Sequence, residues 1–218
     1  MADITLDGKA VGTTPVKLNN ILVGEHKITV SKSGYQPYTA TVTVAEGKTA
    51  TVSAELIKGS KIYKVGDYYN ENGKRGVVFE VSADGRHGKI ISMNQANLKW
   101  TSDSAEQKRR IGANSETDGV YNMAKVMARP DWQSKYPAFK WCADLGKGWY
   151  LPSKEELITI YKNEDKLNPY LSDKLSSIAY LSSTEYKKSW AMVVDMFNGK
   201  TLYYLKESRT YVRAVAAF

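Results

Sequence analysis

Residues able to do covalent or acid–base chemistry are few in this sequence. One cysteine, Cys142, and two histidines, His26 and His87, make up the whole complement of those types. A thiol nucleophile needs an activating base or cationic neighbour. The run YPAFKWCADL instead reads as an amphipathic helix that turns Cys142 inward, the usual place of a free cysteine. The pair Glu155-Glu156 could be imagined as acid and base. Consecutive helix positions diverge, however, and Glu156 stands three places after Ser153, where it completes a capping box. Neither a G-x-x-x-x-G-K-[ST] loop nor an H-E-x-x-H run occurs. The sequence therefore predicts no catalytic residue, no metal site and no cofactor, and the chemistry that remains is recognition.

Recognition has better material. The chain holds fifteen tyrosines and five tryptophans, amphipathic rings of the kind that carry binding surfaces. Between 186 and 210, Tyr186, Lys187, Lys188, Tyr203, Tyr204, Lys206 and Arg209 are the candidate ligand-binding residues. Strand alternation over Thr201–Lys206 puts Leu202, Tyr204 and Lys206 on one side and Thr201, Tyr203 and Leu205 on the other. A regular strand therefore exposes only one of the two adjacent tyrosines. Trp190, Val212, Val215 and Phe218 are expected in the core, and Arg213 is expected to anchor a buried carboxylate, Glu185.

These residues need a frame. Asn198-Gly199 between β-prone runs is a strong hairpin signal and predicts strands over 190–197 and 200–205, a turn through Lys206–Thr210, and a last strand over Tyr211–Phe218. Upstream, turns at Asn72-Gly73 and Asp84-Gly85 set off strands over 76–81 and 89–93. The period then becomes helical. Helices are expected from about Asp118 to Met127, from Pro137 to Leu145 with Gly146 as the terminating glycine, and from Lys154 to Lys162. Residues 65–218 thus read as an α+β domain. Residues 1–57 alternate apolar and polar positions about Asp7-Gly8 and Thr14-Pro15 without any helical period, which predicts a small all-β sandwich. Residues 58–64 read as a linker.

Bulk properties narrow the function classes. Composition is ordinary for a globular chain, with 42% hydrophobic and 25% charged residues. The net charge of +8 raises nucleic acid as a partner, but the lysines are scattered. The densest cluster, Lys108-Arg109-Arg110, has Asp103, Glu106 and Glu116 nearby, so a solvated basic face is expected and no nucleic-acid site. No apolar run reaches the ~18 residues of a membrane span.

Two family resemblances follow from ordered motifs. The series Ile4-x-Leu6-Asp7-Gly8, Gly12-x-Thr14-Pro15, Leu22-x-Gly24-x-His26 and Lys32-x-Gly34-Tyr35 resembles a PEGA domain over residues 2–57. It implies a non-catalytic envelope spacer with His26 in a structural place at a strand start. Met1-Ala2 stands where that family's Pro-x-Gly-Ala element would end, so native sequence upstream of Met1 is expected. The block GWYLPSKEEL, SSTEY, Trp190, Phe197-x-Gly199 and Tyr211-Val212-Arg213-Ala214-Val215 resembles the DUF1566 (Lcl C-terminal) group over about 63–218. That resemblance implies a C-type-lectin-like fold and likeness to variable proteins of Bacteroidales diversity-generating retroelements, whose fixed frame carries a variable ligand surface. The Glu-Pro-Asn, Gln-Pro-Asp and Trp-Asn-Asp tripeptides of calcium-dependent sugar sites are absent, so no calcium is expected. Formylglycine-generating enzymes share the broad fold but rely on a cysteine pair, which this chain lacks. The implied role is an exported cell-surface protein, with its signal or anchor outside this sequence, that binds a glycan or protein on another cell or phage. A pilus or surface-assembly subunit is the alternative.

Overall fold

The computed structural model describes residues 1–57, 59 and 61–218. Lys58 and Ser60, both in the predicted linker, lie outside the described residues. The chain divides into two compact units, Met1–Lys61 and Ile62–Phe218.

In the first unit, β1 (Asp3–Leu6), β2 (Lys9–Thr13), β3 (Gly24–Ser31) and β4 (Tyr38–Val44) form one antiparallel sheet in the order β2-β1-β3-β4. Asp7 (φ 49°) and Gly8 (φ 80°) both take the left-handed region, as a two-residue hairpin turn matched to strand twist requires. The Asp7 carboxylate accepts from the Lys27 amide at 2.8 Å and lies 2.7 Å from His26 Nδ1, while His26 Nε2 meets the Leu22 carbonyl oxygen at 2.8 Å. His26 thus ties a loop to a strand. The core is small: Ala2, Ile4 and Val30 are buried, with Val11, Ile28, Tyr38, Ala54 and Leu56 packed against them. This corrects the expected sandwich, because residues 51–57 form no strand ladder. Alternation in that stretch places Ala54 and Leu56 on the core without a second sheet.

The second unit opens with β5 (Tyr68–Glu71), β6 (Lys74–Val81), β7 (Gly88–Ser92) and β8 (Ala96–Lys99). It continues through α1 (Ser104–Gln107), α2 (Gly119–Met127), α3 (Trp132–Lys135), α4 (Pro137–Asp144), β9 (Trp149–Tyr150), α5 (Lys154–Lys162) and α6 (Glu164–Leu167). It closes with β10 (Ala179–Lys187), β11 (Trp190–Asp195), β12 (Thr201–Leu205), β13 (Arg209–Val212) and β14 (Val215–Ala217). Two five-stranded sheets result, ordered β12-β11-β10-β13-β8 and β5-β6-β7-β14-β9. The protein is therefore β-rich and multidomain, and among the described residues its helices lie in this unit.

Local chemistry accounts for the helices. The Asp118 carboxylate accepts from the Tyr121 amide at 2.9 Å and caps α2, which buries Asn122, Met123 and Val126. Pro137, with its fixed φ and no amide hydrogen, starts α4. That helix buries Ala138, Phe139 and Cys142. Ser153 and Glu156 form the reciprocal capping box at α5. Trp100, Tyr136 and Phe139 meet edge to face at the centre of the core.

The predicted last strand proves to be two. β13 lies in one sheet beside β10 and β8, and β14 in the other between β7 and β9. Arg213 sits at the switch and is fully buried. Its guanidinium donates to the carbonyl oxygens of Ser92 (2.8 Å), Met93 (2.9 Å) and Asp173. The expected pairing of Arg213 with Glu185 is thereby corrected: three backbone carbonyls, not a carboxylate, hold it. Tyr63, in the predicted linker, is buried and packs its ring on Tyr69 and Phe218.

Candidate functional site

The hairpin of β11 and β12 sets up the candidate surface. Its turn runs through Met196–Gly199, with the Gly199 amide donating to the Asp195 carbonyl oxygen at 2.7 Å. Gly199 has φ 71°, and a Cβ there would run into the Tyr161 ring on α5. The register is then fixed: Trp190 opposes Leu205, Ala191 opposes Tyr204, Met192 opposes Tyr203, and Val193 opposes Leu202. Opposed residues share a face. Trp190, Met192, Tyr203 and Leu205 are therefore on one side of the hairpin, and Ala191, Val193, Leu202 and Tyr204 on the side that packs against the core.

Three large side chains on the first side are open to solvent: Trp190 (40% exposed), Tyr203 (45%) and Leu205 (37%). The Tyr186 ring stacks on Tyr203 with centroids 4.0 Å apart and planes at 30°. The Lys187 ammonium lies 4.9 Å over the Tyr186 ring. Arg110, Lys187, Lys188, Ser189 and Trp190 line a shallow groove at the hairpin end of β10 and β11. An aromatic plate with a cationic margin results. Such a plate can stack on sugar rings or apolar side chains and attract carboxylates.

The seven predicted ligand residues fall in three places. Tyr186, Lys187, Lys188 and Tyr203 lie at this plate. Tyr204 and Arg209 line a different groove with Asn97, Leu202 and Tyr211. There the Arg209 guanidinium donates to the Asn97 carbonyl oxygen at 2.8 Å.

Lys206 is corrected outright: it is 0% exposed. Its ammonium donates to Glu185 Oε1 (2.5 Å) and to the Arg109 carbonyl oxygen (3.0 Å), and it lies 4.4 Å over the Trp100 ring. Glu185 also accepts from the amides of Ile111 and Gly112. Removal from water pushes the Lys206 ammonium below its ordinary range, and the Glu185 carboxylate opposes that shift. Lys206 is thus the buried partner of Glu185 and a structural tie between the end of β12 and the 109–112 loop.

Trp190 is corrected in the opposite sense, from expected core to exposed plate. Leu205 and Arg110 were not predicted for the site. Part of the signal was in the sequence, because alternation along β12 puts Leu205 on the face of Tyr203, and the register that brings Trp190 opposite Leu205 is set by the four-residue turn through Met196–Gly199. Cys142 is buried, and burial raises its thiol pKa, which opposes thiolate formation.

The class defined by this geometry is a two-unit, β-rich protein whose second unit carries an exposed aromatic plate at the end of a five-stranded sheet. The chain belongs to the Lcl C-terminal domain family, whose match covers residues 89–216, and a PEGA domain precedes it over residues 2–60. It is similar in fold to a fimbrial protein from Bacteroides ovatus ATCC 8483 solved by crystallography, with a TM-score of 0.55 and 16% identity. That similarity covers all of this chain and 64% of the other. Comparison with curated proteins gives no match.

Proposed function

We propose that the protein is a non-enzymatic, exported cell-surface binding protein. In this reading a PEGA spacer presents a C-type-lectin-like domain, and the plate of Tyr186, Trp190 and Tyr203 is the ligand face. The ligand is a glycan or protein on another cell or phage. The observation that carries the reading is the Tyr186–Tyr203 stack beside an exposed Trp190, held on a hairpin whose other side is core. Large exposed rings on a rigid frame are costly to leave without a partner and typical of binding surfaces. Kinship with a PEGA domain supports the surface location.

A glycan array and a display of extracellular proteins, probed with the wild-type chain and with Trp190→Ala, test this. The substitution should weaken the best ligand at least about tenfold while the fold, read by near-ultraviolet circular dichroism, is kept. Unchanged binding with a large fall in melting temperature would sink the assignment. A finer form of the reading makes 186–210 a diversified surface. Resequencing isolates should then find substitutions at Tyr186, Lys188 and Tyr203 while Ser182–Thr184 and Val212–Val215 stay fixed.

The alternative is a surface-assembly subunit that uses the same face, favoured by the likeness to a fimbrial protein. A monodisperse monomer at high concentration counts against it.

A further inference from the structure

We propose that β12 is an open docking edge that takes an extended, acidic segment of a partner polypeptide as a sixth strand. This rests on the ligand-face reading and gives that face a partner class.

β12 ends the order β12-β11-β10-β13-β8 and pairs with β11 alone. Which of its peptide groups are open follows from the bonds that flank the ladder. The Asp195 amide donates to the Lys200 carbonyl oxygen, and the Lys206 amide to the Ser189 carbonyl oxygen, each at 2.9 Å. Hydrogen-bonded pairs alternate along an antiparallel ladder, so residues 200, 202, 204 and 206 turn their peptide groups toward β11. Those of Thr201, Tyr203 and Leu205 point away from it. The Leu205 carbonyl oxygen accepts from the Ser208 amide at 2.8 Å. The amides of Thr201, Tyr203 and Leu205 and the carbonyls of Thr201 and Tyr203 remain, and among the described residues they have no partner.

Edge strands are usually guarded by an inward charge, a proline or a bulge. The stretch TLYYL has no charged residue and no proline, and its register with β11 is unbroken. The residue types are strongly β-prone. The edge of β4 is also free of charge, but it presents no exposed large apolar side chain. β12 presents Tyr203 and Leu205. An added strand would place alternate side chains beside that plate, combining main-chain affinity with side-chain selection, as in β-strand addition.

Charge sets the partner. Arg110, Lys187 and Lys188 line the groove beside Trp190, and exposed Lys200 immediately precedes β12. Glu207, two residues past β12, and Asp195, at the end of β11, carry the opposing charge, and Glu185 is already occupied by Lys206. A second copy of a +8 chain would bring like charges together, whereas an acidic strand would be attracted.

The test uses the intact chain and three fluorescent peptides of about seven residues, a common strand length. One alternates Val/Thr with Asp/Glu, one replaces the acids with Lys, and one keeps the acids but carries Pro at alternate positions. The acidic strand-former should bind at least about tenfold more tightly than either counterpart, weaken as salt rises, and slow hydrogen exchange at the Tyr203 amide. Thr201→Pro removes an outward amide and leaves the inward ladder intact, and it should weaken that peptide at least about tenfold.

If that variant misfolds, exchange at the wild-type Tyr203 amide decides: unchanged exchange at saturating peptide overturns the proposal. Equal binding of the proline-bearing acidic peptide, or no binding by any of the three, also overturns it. A concentration-dependent dimer that Thr201→Pro abolishes would assign the edge to a second copy instead. Peptide capture that survives Trp190→Ala and Tyr186→Ala would keep the edge and sink the aromatic face. An array ligand lost with Trp190→Ala, alongside failed peptide capture, would keep the face and sink the edge.

Discussion

At the scale of single residues, the two charged ties that matter most are of opposite kinds. Lys206 and Glu185 are both fully buried and hold one another across the end of β12. Removing one member leaves an uncompensated buried charge, which costs about 3–5 kcal/mol. Lys206→Met is expected to destabilise the second unit by that order in denaturant melts, and adding Glu185→Gln should restore part of the loss. A double variant no better than the single one would refute a charge-based role. His26 and Asp7 form the exposed counterpart. Hydrogen bonding to Asp7 raises the His26 pKa above its ordinary 6.5, and the same bond lowers that of Asp7 below its ordinary 3.8. The His26 contribution is therefore complete below pH 6.5 and lost as pH rises through the raised value. The Asp7 contribution is complete above pH 3.8 and lost as pH falls through the depressed value. The first unit should be most stable between these limits. His26→Gln should flatten the alkaline side of that profile, and an NMR titration of His26 at or below 6.5 would contradict the assignment.

At the scale of elements, the β11–β12 hairpin depends on a turn residue with no side chain. Gly199 adopts φ 71° against the Tyr161 ring. Gly199→Ala should cost about 1–2 kcal/mol for the left-handed backbone, plus whatever the ring displacement adds. In a Tyr161→Ala background the second part should vanish, and a double-mutant cycle measures the difference. Equal costs in both backgrounds would show that the ring is not in the way. This hairpin also shows what the sequence makes legible. Strict alternation predicted that only one tyrosine of the adjacent pair is exposed, without saying which, and Ser153 with Glu156 predicted the start of α5. Alternation did put Lys206, one residue past β12, on the side of Leu202 and Tyr204, but a lysine argues for solvent, and what holds it in the core, Trp100, Arg109 and Glu185, lies far along the chain. Nor could alternation reveal that Tyr211–Phe218 changes sheets at Arg213, since both halves are apolar and only three distant carbonyls mark the switch. The single sheet of the first unit was hidden similarly: alternation at Ala54 and Leu56 reports burial, and burial against a sheet does not require pairing with it.

At the scale of the whole molecule, each unit carries its own core, and the two differ greatly in size. The first rests on three buried apolar residues with five more packed about them. The second buries a continuous cluster that includes Trp100, Tyr136, Phe139, Tyr180 and both sheets' inner residues. A domain of about 60 residues with so small a core is marginal on its own, because a short chain buries a smaller share of its surface. A unit about 150 residues long is not so limited. Heating the intact chain should therefore give two transitions, the lower belonging to Met1–Lys61. Deleting that unit should remove the lower transition and leave the upper midpoint and the near-ultraviolet circular dichroism of Ile62–Phe218 unchanged. His26→Gln should move only the lower transition, and Lys206→Met only the upper. A single cooperative transition in the intact chain, shifted by both substitutions, would mean that the units unfold together and that the small core is stabilised by more than its own contacts.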